Sequence, residues 1–280
     1  MTKLAYTFKT DTLFKMLFVK YPDLLKQLIS ELLKIPLNSI EQFEITNPEM
    51  PPESLGDKFC RLDINMIVDG QRVNLEIQVR NEGDYPNRIL FQWAKIFSSA
   101  LPSGKDYIDL PRTVVISIIN FPLFKCKEFH SEFRPLEATR HELLSDNMSL
   151  HFFELKKIPQ EVNTNDMLLL WLSLFKAETE EELKQIELME VPIMKQAIDA
   201  YHQITVTPEF REAERLREMA RHNEAAALRN ARQEATNEKA KEIARNLISF
   251  GDSTEKIINV TGLSFNEIES LRELEKCMQS

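Results

Sequence analysis

Apolar residues recur with a helical period from the start of the chain. Leu13, Phe14, Leu17 and Phe18, then Leu24, Leu25, Leu28, Ile29, Leu32 and Leu33, are spaced three and four apart, and Pro22 divides residues 10–34 into two helices. The segment from Pro36 to Ile45 reads as an edge strand, and residues 46–58, with three prolines and a glycine, as a loop. Over residues 59–80 the period changes to two. Cys60, Leu62, Ile64, Met66 and Val68 share one face of a strand, with Arg61, Asp63, Asn65 and Ile67 on the other. On the next strand Val73, Leu75, Ile77 and Val79 are the apolar set, opposite Asn74, Glu76, Gln78 and Arg80. Asp69-Gly70 between them favours a two-residue hairpin turn, in which both positions take positive φ. That loop pairs Val68 with Gln71 and, counting outward, sets Asp63 against Glu76.

Residues 87–101, behind Pro86, make a helix that ends near Pro102-Ser103-Gly104. The run at 112–121, RTVVISIINF, is apolar on both faces and predicts a buried strand reached by a crossover onto the same sheet. A further strand is expected at 150–158. Residues 1–160 therefore form an α/β core, a mixed sheet flanked by helices. From Asn165 the pattern is helical only. A helical extension packing on the core spans 161–207, an Ala/Arg/Glu-rich connector helix spans 208–250, and a helix-turn-helix-like hairpin spans 251–280.

The connector would extend ~63 Å if fully helical. Its stripe of Ala213, Leu216, Ala220, Ala227, Ala231 and Ala235 is thin and is interrupted at Asn223 and Glu224. Such a stripe suits a connector or a weak self-association surface better than a strong zipper. In the hairpin, Asp252 and Ser253 can cap one short helix, Gly262 ends it, and Ser264 with Glu267 makes a capping box for the next. The second helix, FNEIESLRELEK, carries four glutamates that oppose phosphate, which favours a protein contact over reading of DNA.

Composition narrows the class. At 43% hydrophobic and 28% charged residues the chain is an ordinary globular one, neither disordered nor fibrous. Its net charge of −9 is uneven: residues 1–160 hold 20 basic against 21 acidic groups, and residues 161–280 hold 15 against 23. Acidic metal ligands in the core would leave a basic remainder around them, which permits nucleic-acid binding. Cys60, Cys126 and Cys277 are widely spaced and odd in number, so neither a disulfide framework nor a zinc module is indicated. Charges early in the chain break any signal-peptide core, and no apolar run is long enough for a membrane span. A cytoplasmic protein is expected.

Opposed carboxylates at Asp63 and Glu76 would repel at a Cβ separation of about 5 Å unless something lies between them. A divalent cation is the obvious candidate. An aspartate on one strand, a glutamate on the next and a polar residue two positions on is the minimal layout of a magnesium-dependent nuclease site. The carboxylates are hard oxygen donors, the cation lowers the pKa of the attacking water, and the third residue, here Gln78, orients that water. The bland alternative is the wet face of a half-exposed hairpin. Likewise Asp11 and Lys15, one turn apart on the first helix, read as a solvated pair worth roughly 0.3 kcal/mol. Arg88 and Trp93, on the helix after the hairpin, have a salt bridge and core packing as their plainest roles.

Several blocks resemble the recombination-promoting nuclease and putative transposase family, a branch of the PD-(D/E)XK nuclease superfamily. They are TDTLFKMLF at 10–18, RLDINMIVDG at 61–70, LEIQ at 75–78, NRILFQWAKIFSSAL at 87–101, FELKK at 153–157 and IARNLISFGDSTEKIINVTGLSFNEI at 243–268. The resemblance implies a restriction-endonuclease-like sheet and metal-dependent cleavage of DNA in recombination or mobile-element processes. It makes Asp63 and Glu76 ligands of Mg²⁺, with Mn²⁺ able to substitute. Asp11 becomes an additional acid, and Gln78 stands where many superfamily members have lysine. Glutamine can hold a water but carries no charge for the developing transition state, which leaves open slow catalysis or help from Lys15, Arg80 or Arg88 at the phosphate. The expected function is a metal-dependent DNA endonuclease of low sequence specificity. The alternative is a catalytically weak or inactive nuclease fold acting as a DNA-binding or protein-assembly module, with self-association through the long helix or the terminal hairpin.

Overall fold

The computed structural model describes residues 2–47, 63–81, 83–101, 104 and 106–278. The expectations for Cys60, Arg61 and Leu62, and for most of the 46–58 loop, lie outside the described residues. Two compact units are present, residues 1–215 and residues 216–280.

The first unit is built on a mixed sheet of six strands. In chain order these are β1 (Phe43–Ile45), β2 (Ile64–Val68), β3 (Gln71–Gln78), β4 (Thr113–Ile119), β5 (His130–Phe133) and β6 (Met148–Glu154), and in space the order is β1-β2-β3-β4-β6-β5. Strands β3, β4 and β6 are parallel neighbours, whereas β1–β2, β2–β3 and β5–β6 are antiparallel. The expected hairpin forms in the expected register, with Val68 opposite Gln71 and Ile64 opposite Leu75. Asp69 and Gly70 have φ of 47° and 77°, as a primed turn requires. Asp69 also accepts the backbone N–H groups of Glu41 and Gln42 at 2.9 and 2.8 Å, which fixes the approach to β1.

Helices cover both faces. On one lie α1 (Asp11–Lys20), α2 (Pro22–Leu33), α4 (Met167–Lys176) and α6 (Pro192–Thr205), whose apolar residues share a core with Val73, Leu75, Val114, Ile116 and Phe153 of the sheet. The other face is covered by α3 (Tyr85–Ser98), where Tyr85 and Ile89 pack on Val115, Ile119, Leu150 and Phe152. All seven residues of β4 are buried, the result foreseen from its continuous β-rich run. The break between α1 and α2 falls before Pro22, which occupies the first turn of α2, where its missing N–H is no loss. α5 (Glu180–Glu187) opens with a capping box between Thr179 and Glu182. α3 begins two residues before the sequence suggests, with Tyr85 ahead of Pro86.

α7 (Pro208–Ser249) begins in the first unit, where Phe210 is fully buried and meets the Tyr6 ring edge-on at 4.8 Å. The second unit holds the rest of α7 with α8 (Thr254–Thr261) and α9 (Phe265–Met278), around a small core of Ala244, Ile257, Leu263, Ile268 and Leu271. The expected caps are present. Ser253 accepts the Lys256 N–H, Gly262 sits at φ 73°, and Ser264 and Glu267 bond reciprocally.

Candidate active site

Along the α3 side of β2 and β3 runs a polar row that alternation predicts and the fold then covers. Asn74 is fully buried and Glu76 is 4% exposed, because β3 is an interior strand and α3 lies over it. The last ladder pair, Ile64 with Leu75, adjoins Asp63 and Glu76, so the two carboxylates flank the same step of the hairpin.

Asp63 is held from two sides. Its Oδ2 accepts the Asn74 amide at 2.5 Å, with the Asn65 and Gln92 amides farther off at 3.3 and 3.4 Å. Asn74 in turn donates to Asn65 Oδ1 at 2.9 Å and accepts Gln92 at 3.0 Å. Three amides thus converge on one carboxylate oxygen. Behind it, the Asp63 backbone carbonyl accepts Lys15 Nζ at 2.9 Å and the Asn47 amide at 3.1 Å. Lys15 also donates to the Asn47 carbonyl at 2.5 Å. With 1% exposure Lys15 is not solvated, although its spacing from Asp11 suggests it should be. Its ammonium group reaches two carbonyls at the mouth of the hairpin.

Glu76 has a different setting. Its Oε1 accepts the Tyr85 hydroxyl and lies 3.9 Å from Arg88 Nη2. The Arg88 guanidinium stacks over the Tyr85 ring at 4.6 Å, and Ser117 is the residue paired with Glu76 on β4. Burial raises the Tyr85 pKa well above its usual value, and the Glu76 charge raises it further. The phenol therefore stays protonated and donating. Like charges at Asp63 and Glu76 are thus each offset locally, by amides at one and by a cation and a phenol at the other.

The remaining expected site residues are less enclosed. Gln78, at the end of β3, donates to the Arg80 carbonyl at 3.0 Å, and Arg80 is exposed beyond it. Asp11 is half-buried in the first turn of α1, one turn ahead of Lys15. Trp93 donates to the Thr113 carbonyl at 3.1 Å and stacks on Phe97, as a packing residue does. Asn47, Asn74, Tyr85 and Gln92 were not foreseen as parts of this site. Their signal was available for the helix: Tyr85, Arg88 and Gln92 follow one another at i, i+3 and i+7, a polar line down the face that Ile89 places against the sheet.

Asp63 and Glu76 are hard oxygen donors that fit a divalent cation. Among the described residues no group of three or more His, Cys, Asp or Glu is placed to hold a metal. A cation on these two carboxylates therefore needs water and substrate oxygens for its remaining positions, which is the habit of Mg²⁺. Another buried acid at this end of the sheet, Glu154, is taken up by Lys157 at 2.5 Å and the Leu123 N–H at 2.7 Å.

Residues 8–231 match a family model described as PD-(D/E)XK nuclease family transposase. No curated protein and no solved structure matches the chain significantly. Among the described residues no helix is long and apolar enough to cross a membrane.

Proposed function

Because the chain belongs to the PD-(D/E)XK nuclease family transposases, we propose that it hydrolyses DNA phosphodiester bonds with low sequence specificity at Asp63, Glu76 and Gln78. The observation that carries this reading is the pair of acids flanking one step of the hairpin on a polar floor roofed by α3. A bound Mg²⁺ or Mn²⁺ would stabilise charge on the scissile phosphate and ease deprotonation of water. Asp63 and Glu76 would hold it. The amides of Asn65, Asn74 and Gln92 keep Asp63 aimed, and Tyr85 with Arg88 does the same for Glu76. Gln78 is the water-orienting group, neutral and at the open end of the strand. Arg80, exposed next to it, is the cation best disposed for a backbone phosphate, and Lys15 acts from behind as a positioning residue. Arg88 reaches DNA only by leaving Glu76. Asp11 is kept as an auxiliary acid at the start of α1.

A second reading draws on the enclosure of Glu76. A carboxylate that is 4% exposed and already bonded to Tyr85 and Arg88 also suits a fold kept for binding or assembly. Plasmid nicking with Mg²⁺ or Mn²⁺ separates the two. The nuclease reading expects nicking by the native protein, lost in Asp63→Ala and in Glu76→Ala. Equal activity in all three proteins would sink the assignment, and no Mn²⁺ binding by calorimetry alongside intact DNA binding would favour the second reading.

A further inference from the structure

A cavity of about 260 Å³ opens on the opposite face of the sheet from α3, between the end of α2 and the β5–β6 edge. It is lined by Lys34, Arg112, His130, Glu132, Arg134 and His151, among others. Its one acid is already engaged. Glu132 Oε1 accepts Arg134 Nε at 2.6 Å and the Ser149 hydroxyl at 3.1 Å. Ser149 meets His151 Nε2 at 2.8 Å, and His151 Nδ1 meets His130 Nε2 at 3.1 Å. Since Ser149 gives its proton to Glu132, it accepts from His151 Nε2–H, and His151 Nδ1 then accepts from His130 Nε2–H. The chain of donors runs one way and ends on Glu132.

The other two cations have no such sink. Arg112 Nε is buried and has no hydrogen-bond partner among the described residues, and a guanidinium cannot shed its charge to escape that cost. Lys34 stands at the left-handed cap of α2 with φ 56°. Two of the last carbonyls of α2 are taken, that of Ser30 by the Ile35 N–H at 2.9 Å and that of Glu31 by the Lys34 N–H at 3.4 Å, and among the described residues Lys34 has no carboxylate partner. In a chain of net charge −9, a concave site with two uncompensated cations and a buried, unused donor is built for an anion.

We propose that this cavity binds a phosphate-class oxyanion, free or as the terminal group of a phosphomonoester, with Arg112 and Lys34 as its principal ligands and the paired histidines as its polar wall. A phosphate-class oxyanion has enough oxygens to take the guanidinium and the lysine at once, and binding there would give Arg112 the acceptor it lacks. The site is separate from Asp63 and Glu76 and does not depend on the nuclease reading.

The test uses the full chain without divalent metal. Inorganic phosphate and, in a second arm, a nucleoside 5′-monophosphate are titrated by calorimetry and by the imidazole resonances of His130 and His151. Saturable shifts of these resonances are expected, with binding weakened roughly tenfold or more in Arg112→Gln and in Lys34→Gln. Lys34 is exposed, so its variant stays folded even if the other does not. The arm that binds tighter identifies the free ion or the ester. Absence of a saturable shift in both arms, or native affinity in both variants, would overturn the proposal. Asp63→Ala should bind both anions as the native protein does, so failure of the nuclease assay and failure here are distinct results.

Discussion

Burial, aided by the Glu76 charge, holds the Tyr85 phenol protonated over the working pH range, so Tyr85 is a permanent donor to Glu76. Tyr85→Phe keeps the ring that packs on Phe121 and Phe152 and removes only the hydroxyl. A buried acceptor losing its donor costs about 1–3 kcal/mol, and we expect that loss in urea denaturation together with reduced plasmid nicking. Unchanged stability would mean that Glu76 does not rely on the phenol. His151 gives a pH signature. Burial, with His130, Arg112 and Arg134 adding to it and Glu132 opposing, lowers its pKa to about 4. The fold thus favours the neutral imidazole. Below its usual pKa of about 6.5 the unfolded chain takes up a proton that the folded chain refuses, so stability present above pH ~6.5 is lost as pH falls toward ~4. The loss is on the order of 3 kcal/mol for a shift of this size. Measured against His151→Gln, the native protein should show this extra acid sensitivity in denaturation from pH 7 to pH 4, and phosphate should reduce it by favouring the charged ring.

Elements differ in how plainly their residues announce them. The hairpin was legible because Asp69-Gly70 supplies the turn and strict alternation fixes which face is dry. β4 was legible because a β-branched run interrupted only by Ser117 has the pattern of a strand covered on both sides. β5 was not, since His130–Phe133 is short, partly exposed and polar, and becomes a strand only because β6 offers it an edge. The polar floor was half legible. Alternation put Asn74 and Glu76 on one face, but that this face is buried under α3 follows from packing between elements that a local pattern does not encode. Lys15 was misplaced for the same reason: its helix position suggested solvent, and its bonds to two carbonyls come from chain segments far away in sequence. The turn itself is testable. A Cβ at Gly70 meets nothing within 4 Å, so Gly70→Ala probes φ alone. At φ 77° the cost should be about 1–2 kcal/mol. A smaller change in the denaturation midpoint, with unaltered m, would show that the turn relaxes without disturbing the register that sets Asp63 beside Glu76.

At the scale of the whole molecule, the division after Arg215 falls inside α7, not at its start, and the chemistry explains why the first turns matter to the sheet unit. Phe210 is fully buried against Tyr6, while Tyr201 on α6 stacks on Phe8 at 4.9 Å and donates to the Tyr6 carbonyl at 2.8 Å. The segment ahead of α1 is therefore held in part by a residue five positions short of the boundary. A chain ending at 215 should fold, with a cooperative melt and the nicking activity of the full chain, because every residue of the polar floor and its roof is retained. A chain ending at 207 also keeps that site but loses Phe210, and should be less stable by roughly 3–5 kcal/mol, the usual loss for a large buried aromatic. The two truncations compared by thermal and urea denaturation decide the point. If both are equally stable, the first turns of α7 contribute nothing to the sheet unit. If the longer one fails to fold, the sheet unit is not stable without residues 216–280, and the site at Asp63 and Glu76 has no existence apart from them.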